Sequence, residues 1–157
     1  MIEFASVLWS IATIRLKDGR YASQYARELY QAKTPYIGDN SKVLQILSLL
    51  PIGELSPYTI ELKTDGRPFR LTIKFDKEFP SEPSTEKRLQ DYSAVILCLI
   101  DNADEVVWEY PNSDKTDKMV ISRDTVDMRF NSSPEIRSFA QSEYDLQRLL
   151  QLLRLNK

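Results

Sequence analysis

Two stretches of the chain alternate between apolar and polar positions without a break. In YTIELK, Tyr58, Ile60 and Leu62 oppose Thr59, Glu61 and Lys63. In FRLTIKF, Phe69, Leu71, Ile73 and Phe75 oppose Arg70, Thr72 and Lys74. A period of two gives a strand one oily and one wet face, so the pattern predicts two strands covered on one side only. The intervening TDGRP carries Asp65-Gly66, a pair that supplies the positive φ angles of a tight hairpin turn. Further on, VVWEY places Val106, Trp108 and Tyr110 on one side, PNSDKTDK reads as a polar loop, and MVIS is the strand returning from it.

Elsewhere the apolar period is that of a helix. Phe4, Val7, Leu8 and Ile11 fit a helical stripe, although the Val and Ile content leaves a strand open for residues 2–16. Lys17-Asp18-Gly19-Arg20 reads as a turn. Helix formers dominate from Ala22 to about Ala32, with Tyr21, Tyr25 and Leu29 on one face. Pro35 stops that helix, and Asp39 or Asn40 caps the next, which buries Val43, Ile46, Leu47 and Leu50 before Pro51 and Gly53 end it. Pro83 suits the first turn of a helix from about Thr85 to Ile100, whose AVILCLI end is oily on every side and belongs in the core. Ser122 caps a short helix through Met128, and Ser133-Pro134 starts another piece. Ser142 with Asp145 forms a capping box ahead of Leu146, Leu149, Leu150 and Leu153. The expected fold is α+β: a mostly antiparallel sheet built from two β-hairpins flanking a central helix, with helices packed on one face. No repeat, low-complexity tract or linker interrupts residues 1–157, which predicts one domain with a core over about 29–155 and an N-terminal extension, 1–28, packed onto it.

Composition removes several chemistries. There is no histidine, so Ser-His-Asp and Cys-His units, imidazole metal ligands and the usual near-neutral pH switch are absent. The one cysteine, Cys98, forms no internal disulfide or thiolate cluster, and its apolar surroundings predict a buried, inert thiol. Twenty-one basic and 23 acidic side chains are interspersed to a net −2, which gives no electrostatic footprint for nucleic acid. No run reaches the roughly 18 apolar residues that cross a bilayer. The N-terminal segment lacks a basic start and carries Glu3, which makes a poor signal peptide, and it is read as part of the fold.

Three constellations invite chemistry. YIGDNSK places a glycine before a helix start, as an anion site would, but it lacks P-loop spacing and Asp39 competes for the same N–H groups. DNADE offers Asp101, Asn102, Asp104 and Glu105 as hard oxygens, but without EF-hand alternation; a solvated turn capping a buried helix is preferred, and Asp114 and Asp117 are judged alike. Paired carboxylates can hydrolyse glycosides without histidine, and Trp9 and Trp108 could stack on a sugar, yet the acids are scattered and none sits in an apolar run. No catalytic residue, metal ligand or cofactor site is assigned.

Three stretches in order, LYQAKTPYIGDNSKVLQIL, LPIGELSPYTIELKTDGRPFRLTIKF and VILCLIDNADEV, resemble a family of Gram-positive bacterial domains of unknown function, family four-eight-two-five. The resemblance covers about residues 29–110, extends loosely to the C-terminal helix and leaves out 1–28. It implies an extracytoplasmic domain of the cell envelope, since relatives are often tethered behind an anchor, although no anchor or lipid-attachment cysteine precedes Leu29. It supplies no activity. The expected function is a non-catalytic binding or sensing module for an unknown ligand or protein partner. The alternatives are a small histidine-free hydrolase using paired carboxylates and a cytoplasmic regulatory domain. The candidate binding residues are Tyr36, Gly38, Asp39, Asn40 and Lys42; capping accounts for Asp39 or Asn40 and leaves Tyr36 and Lys42 unexplained.

Overall fold

The computed structural model describes residues 20–79, 82–130 and 135–155. The expectations for residues 2–16, for Lys17 to Gly19, for Trp9 and for Ser133-Pro134 lie outside them. In chain order the elements are α1 (Gln24–Gln31), α2 (Asn40–Leu49), a 3-10 turn (Pro51–Glu54), β1 (Tyr58–Lys63), β2 (Arg70–Phe75), α3 (Pro83–Leu99), β3 (Glu105–Asn112), β4 (Lys115–Ser122), α4 (Arg123–Arg129), a second 3-10 segment (Ile136–Ala140) and α5 (Glu143–Leu152). The helix starts follow the sequence signals. The Asp39, Ser122 and Ser142 side chains each accept an N–H from the first turn of α2, α4 and α5, and Pro83 occupies the first turn of α3. Ser23 does the same for α1, and its own N–H donates to the buried Gln147 Oε1 at 2.9 Å, which ties α1 to α5.

The four strands form one sheet in the order β1-β2-β3-β4. Both hairpins are antiparallel, but β2 and β3 pair in parallel, so the sheet is mixed. The cause is α3: a helix that leaves one end of the sheet and crosses its face delivers the chain back in the same direction. The two turns exchange their expected characters. Pairing of β1 with β2 ends at Lys63 and Arg70, and a six-residue loop containing a cis Arg67-Pro68 bond joins them. No positive φ occurs at Asp65, so the tight Asp-Gly turn does not form. Pairing of β3 with β4 instead runs out to Asn112 and Lys115 across a two-residue turn, with Ser113 at φ 56° and its N–H donated to the Glu78 carboxylate.

One face of the sheet carries the core. Leu71, Ile73, Phe75, Val106, Trp108 and Ile121 are buried there against the helices. The Trp108 ring stacks on Phe75 at 5.8 Å, and its Nε1–H donates to Ser93 Oγ on α3 at 2.8 Å, so the largest core side chain also satisfies its polar atom. Asp91 of α3 is buried between Lys87 Nζ (2.7 Å) and Arg129 Nη2 (2.6 Å), which fastens α4 to α3. The other face is laced by charge pairs, with Lys74 on Glu61, Arg70 on Glu105 and Lys118 on Glu109. Thr72 and Val107 are buried even on this wet face, because they occupy the two central strands between those long paired side chains.

Candidate functional site: the loop between α1 and α2

The chain leaves α1 at Ala32 and runs beside the C-terminal end of α3. Thr34 there makes a single parallel bridge with Ile100: its N–H donates to the Leu99 carbonyl at 2.9 Å, and its own carbonyl accepts the Asp101 N–H at 3.0 Å. Three residues later the N–H of the fully buried Ile37 donates to Asn102 Oδ1 at 2.7 Å. Between these two ties the backbone turns, with the Asp39 N–H donated to the Tyr36 carbonyl at 3.0 Å.

This frame gives each predicted residue a place. Asp39, not Asn40, is the cap: its Oδ1 accepts the Lys42 N–H at 3.3 Å and the Ser41 hydroxyl at 3.2 Å, while Asn40 is the first residue of α2 and points to solvent. The Lys42 ammonium donates to the Gln31 carbonyl at 2.9 Å, so it satisfies one of the carbonyls left open at the end of α1. That bond explains a lysine which capping alone did not. A Cβ on Gly38 would overlap the Tyr36 ring, which lies over it. The Tyr36 side chain is 52% exposed. Of the five residues, Asp39, Lys42 and Gly38 are occupied with building the loop, and Tyr36 and Asn40 face outward.

The DNADE segment is no mere solvated turn. Asn102 holds Ile37, Asp104 accepts the Phe69 N–H at 2.7 Å and pairs with Arg67 at 2.6 Å, Glu105 pairs with Arg70 at 2.6 Å, and Asp101 faces Arg137 at 3.5 Å. Its four oxygen-bearing side chains thus tie down the α1–α2 loop, the first hairpin loop and the second 3-10 segment. Underneath them sits Arg123, buried, donating Nε–H to the Ala103 carbonyl and Nη2–H to the Ile100 carbonyl, both at 2.9 Å. Composition gave no hint of this arginine. The only available signal was its place one residue after a capping serine, which marks a helix start and not a buried charge.

A cleft of about 470 Å³ opens between the α1–α2 loop, the end of α3 and the second 3-10 segment. Thr34, Pro35, Cys98 and Leu99 form one side, and Arg137, Ala140 and Gln141 the other. Lys33 Nζ spans the two walls by donating to the Ala140 carbonyl at 3.0 Å. Burial pushes the Cys98 thiol up to about 12, against the pull of nearby Arg123 and Lys33, so it stays protonated and is no ready nucleophile at neutral pH. At the far end of the sheet Glu61 and Asp65 share a second cleft. There the hydrogen bond from Lys74 holds the Glu61 carboxyl below its ordinary range, the wrong direction for a general acid. No cluster of metal-ligating side chains occurs among the described residues.

The profile of a domain of unknown function, DUF4825, matches residues 29–122. The chain belongs to the DUF4825 family. No curated protein and no solved structure matches it. The DUF4825 match runs from Leu29 in α1 to Ser122 at the end of β4, so it contains the α1–α2 loop, the DNADE segment, α3 and the whole sheet. The helices and 3-10 segment after β4 fall outside it, which leaves the cleft with one wall inside the DUF4825 match and one beyond it. Among the described residues no helix is long and apolar enough to cross a membrane.

Proposed function

We propose that this DUF4825 protein is a non-catalytic binding or sensing module that receives its ligand in the cleft beside the α1–α2 loop. The observation that carries this reading is the set of bonds that holds one wall of the cleft in place. The Thr34–Ile100 bridge, the Asn102 bond to Ile37 and the Arg123 bonds to Ile100 and Ala103 fix the backbone around a mostly apolar space. A preformed, largely apolar concavity with a few placed polar groups is the usual form of a small-ligand site. Tyr36 stands exposed on the adjoining turn, where an aromatic ring adds contact area at low entropic cost. The absence of histidine and the downward shift of Glu61 support binding over catalysis. The resemblance to relatives tethered behind an anchor supports placing the module in the cell envelope.

The test is a fragment screen against the ¹⁵N-labelled protein. Hits should move the amides of Thr34, Leu99 and Ala140. Hits confined to other surfaces, or turnover of a glycoside or ester library that vanishes when one carboxylate pair is removed, would overturn the proposal.

A further inference from the structure

The sheet ends at β4, whose outer edge no described residue pairs. β4 pairs with β3 from Lys115 to Ser122 without a bulge and holds no proline, so it lacks two devices that usually guard an edge. The Arg123 N–H donates to the Asp104 carbonyl at 2.8 Å, which fixes the direction of every backbone group in the strand. By the alternation of an antiparallel ladder, Asp117, Met119 and Ile121 turn their N–H and C=O toward β3. Thr116, Lys118 and Val120 turn theirs outward, where nothing accepts or donates to them. Each face of the sheet adds side chains to this edge. On the open face Thr72, Val107 and Val120 stand in one row across β2, β3 and β4, and Val120 at its end is 57% exposed. On the helix face a recess of about 350 Å³ adjoins the edge, lined by Met119, Ile121 and Val126 with Gln90, Thr125 and Arg129. Arg129 is engaged by Asp91 at 2.6 Å, so the recess offers no free charge. What fits such an edge is an extended strand with three successive apolar residues at its centre. β4 itself, through Met119, Val120 and Ile121, is a strand of that kind.

We infer that the β4 edge pairs with the β4 edge of a second copy of this chain, antiparallel about a two-fold axis at Val120. In such a contact each residue meets its own mate or a fixed partner, and the side chains choose the register. With Val120 opposite Val120, Met119 of each copy lies opposite Ile121 of the other, beside the other's recess. Lys118 lies opposite Ser122, and the exposed Asp124 that follows Ser122 brings a carboxylate toward that ammonium. The Thr72–Val107–Val120 row then continues from one sheet into the next. The backbone agrees: Val120 exchanges N–H and C=O with its mate, and Lys118 does the same with Ser122. Neighbouring registers fail. Centring on Met119 sets Lys118 against Val120 and Asp117 against Ile121, and centring on Lys118 sets two ammoniums against each other.

The experiment measures the mass of the full chain by light scattering after size-exclusion chromatography, over concentrations of about 1–500 µM. The mass should rise from 18.2 kDa toward twice that value. Val120→Lys and Val120→Glu alter an exposed position and are checked for folding by thermal melts. Each sets like charges against each other across the axis and should weaken the dimer at least about tenfold. Mixed in equal amounts the two variants should pair again, because the residue faces its own mate; a dimer through another register or face gives no such rescue. Thr59→Lys, an exposed position on the opposite edge strand β1, should leave the mass unchanged. A chain that stays monomeric at about 500 µM overturns the inference, whether or not other peptides bind the edge. So does a dimer that Val120→Lys leaves intact, that the mixture fails to restore, or that Thr59→Lys breaks.

Discussion

Replacing Asn102 by alanine removes the acceptor that holds the α1–α2 loop to the DNADE segment. The N–H of Ile37 lies in a fully buried residue and donates to Asn102 Oδ1 at 2.7 Å. Leaving a buried donor unpaired costs about 1–3 kcal/mol. Asn102 itself is half-buried, so water reaches part of the site and the lower half of that range, about 1–2 kcal/mol, is expected. For a chain of this length each kcal/mol lowers the melting temperature by roughly 2–4 °C, giving a drop of about 2–8 °C. The assay is urea unfolding followed by the fluorescence of the buried Trp108, with the midpoint falling and the slope unchanged. Asn102→Asp keeps the acceptor. In about 0.5 M salt, which screens repulsion from Asp101 and Asp104, it should recover at least half of the loss. An Asn102→Ala protein within ~0.3 kcal/mol of wild type, or an aspartate variant as damaged as the alanine one, would refute the view that this bond organises the loop.

Asp91→Ala should destabilise by about 2 kcal/mol, below the ~3–5 kcal/mol of a fully buried pair, because Lys87 and Arg129 are partly exposed and rehydrate once freed; thermal melts of the variant beside Asp91→Asn, which keeps an acceptor, check it. Cys98 should resist iodoacetamide at pH 7.5 in the folded protein and become labelled in step with urea unfolding, since burial keeps its thiol protonated until about pH 12; rapid labelling without denaturant would contradict the packing of α3. Gly38→Ala should cost no more than ~0.5 kcal/mol, because the atom it meets is the end of the exposed Tyr36 ring, which swings aside. A larger loss in chemical unfolding would mean that the Tyr36 position is part of the stable core.

Local features were legible where a signal and its consequence lie within a few residues of each other. The alternation in Tyr58–Lys63 and Arg70–Phe75, the caps at Asp39, Ser122 and Ser142, and the apolar end of α3 all appear as read. The hairpin turns were misread because glycine was taken as the marker of tightness. Asp104, 35 positions away from Phe69, captures its N–H and holds the first loop wide, whereas the second turn closes on Ser113 with help from Glu78. Distance in sequence also hid the parallel β2–β3 pairing, the burial of Arg123 and the Asn102–Ile37 bond, none of which leaves a periodic trace. For the candidate site, the sequence singled out the α1–α2 loop, and the fold uses Gly38, Asp39 and Lys42 of that loop to build it. The cleft itself is assembled from Lys33–Pro35, the end of α3 and Arg137–Gln141, segments that no single stretch of sequence brings together.

The parallel pairing has a kinetic consequence. Each hairpin can zip from its own turn, but Arg70 meets Glu105 only across 35 positions. Closing that distance sacrifices chain entropy before any contact repays it. Closing that seam should therefore be the slow step of folding, with α3 shortening the path and offering Ser93 and the AVILCLI face as a template for Trp108. Substitutions at the β2–β3 seam should slow folding, whereas those at the outer strands β1 and β4 should mainly quicken unfolding.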